Sequence, residues 1–340
     1  MLLRHSKVLQ CGVLSTAVIG LLVALLSAAP PLAPGRASAQ PTPRLFGATG
    51  ANGVSAVLYT IDPNTGASTP IGPVTVKGIG VSITGLAFHP RNRLLFAVTG
   101  AHGSLPGHLL TIDPNTGAAN DVGPLDIPTL NCGAPNAGIV GDITFSADGS
   151  LFGAGPCGRQ SADVNLYTIG PGSSRASFVG AVAFENAPRE DRQGFGLSFL
   201  PLTSTPQWLI LFPLRTNQMY VINPPADPTT GKIPRTVVTL TGSNDQAIAA
   251  LTADPSGTLL LGVASDGSNP SSARLIAIEP VTGEITIRGR LPDNMDALAL
   301  RPPQAEVPPV AVPTLFEATR LLMAGVLVAT GVWIMRRRRE

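Results

Sequence analysis

LYTIDPNTG (residues 58–66) is a short apolar strand running into a Pro-Asn-Thr-Gly turn, and the chain uses it repeatedly. The same module returns as LLTIDPNTG from Leu109, LYTIGPGSS from Leu166, MYVINPPADPTTG from Met219 and LIAIEPVTG from Leu275. The starts lie 51, 57, 53 and 56 residues apart. A period of this size marks stacked or radial repeats, each too small to bury its own apolar face.

Around this strand each module reads as four short strands. The first is GLAF-like: Gly85-Leu86-Ala87-Phe88, then 142–145, 196–199, 250–253 and 297–300. A tight turn follows, as at Ala147-Asp148-Gly149 or Asp254-Pro255-Ser256-Gly257, where Pro and Gly preset the dihedrals. The second strand covers 94–99, 151–154, 208–212 or 259–263; LYTID is the third, and the fourth carries a pair such as Ile71-Gly72, Val122-Gly123 or Val179-Gly180. Strands of this length bounded by Gly, Pro, Asn and Asp belong to antiparallel sheets.

The module is cut across the two ends. The chain enters at Arg44-Leu45-Phe46-Gly47-Ala48-Thr49, a second strand with no first, and closes on residues 296–300, a first strand with no second. Joined, they complete a module. A radial array closes this way, so the expected fold is an all-β, five-bladed β-propeller closed by its N- and C-terminal strands. A degenerate module within 181–215 would raise the count to six. The modules resemble those of bacterial exported propellers with YxIDPxTG and GLAFxPxGxLF signatures, over residues 44–302. The resemblance implies the fold and leaves the function open.

The expected domains are a signal peptide over 1–39, the propeller over 40–301, a Pro-rich linker over 302–313 and a transmembrane segment over 314–340. Arg4 and Lys7 precede an apolar run from Val13 to Ala29, and Ala37-Ser38-Ala39 forms a small-residue cleavage site. At the other end, residues 321–335 are apolar and uncharged, and Arg336, Arg337, Arg338 and Arg339 follow as a cytoplasmic stop. Fifteen helical residues span about 22 Å, so the membrane helix draws in Leu315 and Phe316 toward the roughly 30 Å hydrocarbon core. This end resembles the IPTL-CTERM class of bacterial sorting signals. Val312, Pro313, Thr314 and Leu315 stand at its short motif, with Ala318 where that class often has Trp. The resemblance implies a Gram-negative envelope protein and an envelope sorting enzyme as a partner. The expected location is exported, on the periplasmic or cell-surface side, anchored in the inner membrane unless processed.

Between residues 40 and 311 there are 15 basic and 19 acidic residues and few aromatics, so a nucleic-acid partner is not expected. Of three cysteines, Cys11 falls in the signal segment. Cys132 and Cys157 flank one expected hairpin, an arrangement that reads as a disulfide in an exported chain.

Chemistry is sparse. Asp62, Asn64 and Gly66 echo part of a cation loop, but no distal bidentate carboxylate follows, so an Asx-type turn is expected. His89 falls in a hairpin turn. His102 and His108 share a loop without a third ligand, and read as solvated. No Gly-x-Ser-x-Gly elbow or Walker pattern occurs. No catalytic residue, metal or cofactor is therefore expected. The first strands should line the ring's axis, led by the small Gly85, Gly196, Ala250 and Ala297, with Asp142 as a carboxylate among them. Loops entering these strands carry Asp191, Asn244, Asp245, Asp293 and Asp296, an acidic rim at one mouth. These observations point to a binding or scaffold module for a protein or glycan partner. The competing reading is a periplasmic metal-dependent hydrolase or lyase using that mouth.

Overall fold

The computed structural model describes residues 44–127, 139–156, 163–183, 195–200, 208–213, 217–242, 247–254, 256–303 and 333. The expected signal segment, Cys132 and Cys157, Asp191, Asp245, the motif at 312–315 and Arg336–Arg339 lie outside these residues. Among the described residues no helix is long and apolar enough to cross a membrane.

The chain is all-β and propeller-like. Five sheets are described, each with a four-stranded antiparallel core that begins with an inner strand. Sheet 1 orders Met295–Leu300, Leu45–Thr49, Val57–Ile61 and Ser68–Pro73, so its inner strand comes from the end of the repeat region and its second from the start. Sheet 2 orders Ile83–Phe88, Leu95–Thr99, His108–Ile112 and Ala118–Pro124, extended by Thr75–Val76 and Ile79–Gly80. Sheet 3 holds Asp142–Phe145, Leu151–Pro156, Asp163–Ile169 and Ala176–Ala183. Sheet 4 holds Phe195–Leu200, Trp208–Pro213, Gln218–Ile222 and Arg235–Thr239, so the described strands within 195–213 belong to this sheet and not to an additional module. Sheet 5 holds Ala247–Ala253, Leu260–Ser265, Ala273–Ile278 and Ile285–Leu291.

The half-modules at the two ends pair as their sequences require. Leu45 lies opposite Leu300 and Gly47 opposite Leu298. Inner strands touch in the cyclic order of sheets 1, 2, 3, 4, 5 and back to 1. Strand alternation sends successive side chains to opposite faces, and each face meets a neighbouring sheet. Phe46 packs with Phe88, Leu95 and Leu110 between sheets 1 and 2. Leu45, one residue earlier, packs with Val263, Leu275 and Leu298 between sheets 5 and 1. Equivalent apolar layers join sheets 2 and 3 through Phe96, Ile143 and Tyr167, sheets 3 and 4 through Leu166, Leu197 and Tyr220, and sheets 4 and 5 through Met219, Leu251 and Ile276.

The repeated turns fasten one sheet to the next. Asp62 Oδ1 accepts from the amide of Asn64 at 2.8 Å, and the Gly66 amide donates to Asp62 O at 2.9 Å. Asp113 with Asn115 and Gly117, and Asp227 with Thr229 and Gly231, repeat the geometry. These are the expected Asx turns, and the backbone donors hold the Asp62 and Asp113 carboxyls below the usual range. The residue after Gly117, Gly231 and Gly283 then bridges in parallel to the outer strand of the preceding sheet or the segment that leaves it: Ala118 to Thr75, Lys232 to Ala181 and Glu284 to Thr241. Between sheets 5 and 1 the backbone of Gly289 lies against Thr65 and Gly66, where an added Cβ would sit 1.9 Å from Thr65 O.

Gly117 combines two constraints. Its φ is +83°, and a Cβ there would lie 2.7 Å from Pro73 O of the preceding sheet. Gly117→Ala is therefore expected to destabilise the fold by about 2 kcal/mol, from left-handed backbone strain and the displaced stitch together. Equilibrium denaturation checks this; a loss below about 0.5 kcal/mol would contradict the stitch.

Candidate functional site

The small residues expected at the axis share one register position. Gly85 pairs with Val98, Asp142 with Ala154, Gly196 with Phe212, Ala250 with Val263 and Ala297 with Ala48. Close approach is the reason for their size. A Cβ on Gly85 would fall 2.8 Å from Asp142 Cα and 2.9 Å from its Oδ1, and one on Gly196 would fall 2.6 Å from Leu251 Cγ.

Asp142 fills the centre that these residues leave. It is fully buried. Oδ1 accepts from the Ile143 amide at 2.8 Å. Oδ2 accepts from the Leu197 amide of sheet 4 at 2.9 Å and from the Leu251 amide of sheet 5 at 3.4 Å. One carboxyl thus joins three inner strands. Burial pushes its pKa well above the usual carboxylate range, against the pull of these three donors, and the charge of Asp296 pushes the same way.

Asp296 reaches the same centre by a different device. The inner strands of sheets 1, 2 and 5 begin two or three residues earlier than their GLAF-like cores suggested, because bulges lie at their starts. Thr84, Ala249 and Asp296 are the extra residues, placed between Ile83 and Gly85, between Ile248 and Ala250, and between Met295 and Ala297. A bulge re-aims the side chain it carries. Thr84 Oγ1 thereby donates to Val140 O at 3.3 Å. Asp296 keeps part of its surface exposed, yet its carboxyl is desolvated and its pKa rises to about 7.

The two carboxyls are therefore close enough to interact, whereas Asp293 stands in the loop before Asp296 and pairs with Arg290 Nη2 at 3.1 Å in solvent. Among the described residues no three His, Cys, Asp or Glu side chains gather as metal ligands. The histidines are separated. His89 Nδ1 accepts from the amides of Arg91 and Asn92 and its ring packs on Phe145. His108 opens a strand and meets Asp121 at 2.9 Å with only 18% of its side chain exposed, so the expectation of a solvated loop residue is corrected. His102 offers its backbone carbonyl to Ser82 Oγ at 2.7 Å.

Loops around this mouth are cross-tied through Asn294, a residue that sequence reasoning missed. Its carbonyl accepts from the Gly50 amide at 2.9 Å, its amide donates to Ser271 O at 2.7 Å, and its Oδ1 accepts from the Ser271 amide at 2.8 Å. Its φ of 61° suits Asn, and the Asp293-Asn294 dipeptide was the available signal. Asn52 Nδ2 adds a bond to Ser268 O at 3.4 Å. Three loops from two neighbouring sheets thereby form one face.

No family model matches the sequence, and no curated protein matches it. Solved structures align with it at low identity. A protein from Lactobacillus plantarum aligns at 15% identity and a TM-score of 0.37, over 72% of this chain and 65% of its own, so the chain spans just under two thirds of that protein's length. The periplasmic gluconolactonase of Pseudomonas aeruginosa aligns at 16% identity and a TM-score of 0.37, over 73% of this chain and 69% of its own. A chain of a nidogen/laminin complex aligns at 12% identity and a TM-score of 0.41, over 76% of this chain and 98% of its own.

Proposed function

We propose that the chain is an exported five-bladed β-propeller, membrane-anchored or sorted, that acts as a binding or scaffold module in the bacterial envelope. A signal peptide, a Cys132–Cys157 disulfide, the Val312-Pro313-Thr314-Leu315 motif and a C-terminal membrane helix belong to this reading. One observation carries its orientation. The Arg301 amide donates to Arg44 O at 2.9 Å, so both ends of the repeat region leave from the end of the inner strands opposite Asp142 and Asp296. An anchor beyond residue 303 then holds the cross-tied Asn294 face away from the bilayer, where a protein or glycan partner meets it. If extended, the linker over 302–313 adds a stalk at about 3.1 Å per residue.

Asp142 supports a structural rather than a chemical use of the centre, because both its oxygens serve strand amides. The pKa of Asp296, about 7, favours the second reading, a metal-dependent hydrolase or lyase with Asp296 as a proton-transfer group. Metal analysis and chelation separate the two. The binding module is expected to carry no stoichiometric metal and to melt at the same temperature with and without chelator. Stoichiometric calcium or zinc, lost on Asp296→Asn, would replace it with the enzyme. Intact mass of the native protein after cell fractionation tests the location: loss of residues 1–39 with retention in the envelope is expected, and an uncut cytosolic chain would overturn it.

A further inference from the structure

We propose that Arg44, Arg93 and Arg301 form a binding site for a phosphate-type oxyanion at the end of the ring opposite Asp142 and Asp296. The site is independent of the reading of the Asn294 face. It is built where sheets 1 and 2 meet. Arg301 follows the inner strand Met295–Leu300, and its amide is bonded to Arg44 O. Its guanidinium lies 5.3 Å from the centroids of both Phe46 and Phe88, two rings that meet edge to face at 5.2 Å. Arg93 closes the turn just beyond Phe88, with its amide donating to His89 O at 3.0 Å and a φ of 60°.

Three like charges are thus gathered by backbone and aromatic contacts rather than by counterions. The Nε atoms of Arg93 and Arg301 are shut off from solvent and donate to no acceptor among the described residues. The carboxylate that acts on Arg301 is Asp113, and its oxygens already accept from Asn115 and Thr116 within their own turn. No carboxylate of the described residues lies within ion-pairing distance of Arg44, Arg93 or Arg301. Partial burial and the charges of Arg93 and Arg44 hold the Arg301 pKa below its usual value. A cluster of guanidinium groups with no ion-pairing carboxylate among the described residues, two of them with an Nε shut off from solvent, is a receptor for an anion with several acceptor oxygens. The planar fork of Arg matches phosphate with two parallel bonds, and aromatic faces preset the plane of Arg301. The same chemistry is offered by a free phosphate and by a phospholipid headgroup. The headgroup source rests on the proposed C-terminal membrane segment, toward which the chain runs on from Arg301; the free oxyanion does not.

Full-length protein in a neutral detergent is titrated with sodium phosphate at constant ionic strength, with sodium chloride as control. A saturable rise in Tm with phosphate but not chloride is expected. Arg93→Gln and Arg44→Gln should each weaken it by about tenfold. Arg44 is exposed, so that variant keeps its fold and the result remains interpretable if Arg93→Gln does not. A second titration uses short-chain phosphatidylglycerol below its micelle-forming concentration. Arg-dependent saturation by the lipid at lower concentration than by phosphate identifies the headgroup as the source; saturation by phosphate at equal or lower concentration identifies a free oxyanion. Absence of saturation with both probes, equal effects of chloride, or saturation unchanged in Arg44→Gln overturns the site.

Discussion

Asp142→Ala is expected to lower the unfolding free energy by about 3 kcal/mol or more, a fall in Tm of roughly 6–10 °C for a ring of this size. Neighbouring inner strands are also joined by single side-chain bonds, in which the Phe199 amide donates to Thr144 Oγ1 and the Leu300 amide to Thr252 Oγ1. Each of those spans one sheet boundary. Among the described residues Asp142 alone ties the inner strands of sheets 3, 4 and 5, and its removal leaves the amides of Ile143, Leu197 and Leu251 without their side-chain acceptor at the centre. Relaxation cannot readily repair the loss, because the backbone of Gly85 already stands against Asp142 and Gly196 against the Leu251 side chain. Asp142→Asn removes the charge and one of the two acceptor oxygens, since its amide oxygen still accepts but its NH2 faces the backbone amide or amides that the other oxygen served. Its expected cost is smaller than that of Ala, about 1–2 kcal/mol. A Tm for Asp142→Ala within about a degree of the parent would show that the three bonds do not hold the ring.

Much of this architecture was legible because it repeats. The LYTIDPNTG modules located the third strands, and the unmatched halves at Leu45 and Leu298 identified the sheet they complete. Asp142 was visible as the one carboxylate among Gly85, Gly196, Ala250 and Ala297. The sequence could not show that its bonds run to strands 55 and 109 residues away, since a period places modules but not the side chains that cross between them. The bulges were hidden for a related reason. A strand and a bulged strand carry the same apolar alternation until one partner residue is skipped, and only the register of Ala48 and Thr49 against Met295 and Ala297 reveals that Asp296 is extra. Arg44, Arg93 and Arg301 escaped notice because each stands alone in the chain. Their meeting depends on ring closure, which brings residue 301 beside residue 44.

Stability of the native protein is expected to fall as pH rises from about 4 to 7, and Asp296 sets the direction. Its carboxyl moves from an ordinary 3.8 in the unfolded chain to about 7 in the fold. Between those values the folded state holds the proton more often than the unfolded one, so each increase in pH favours unfolding. A displacement of that size corresponds to about 4 kcal/mol as an upper bound; the partial exposure of the residue reduces the expected difference between pH 5 and pH 8 to about 2 kcal/mol. Asp142, whose pKa is also raised, adds in the same sense. The turn carboxyls work oppositely. Asp62, Asp113, Asp148, Asp266 and Glu279 have lowered values, so what they contribute is present above their unfolded pKa and is lost only in more acid solution. A comparison from pH 5 to pH 8 leaves these carboxylates out, but His89, whose pKa burial and Arg91 lower, titrates within it and works in the opposite sense. The difference between parent and Asp296→Asn, not the parent slope alone, therefore reads Asp296. Asp296→Asn keeps the shape and removes the titration. It should melt higher than the parent at pH 8, match it near pH 5 and flatten the slope between them. A variant whose slope between pH 5 and pH 8 equals the parent's would show that Asp296 is solvated and that the bulge at Met295–Ala297 does not turn it inward.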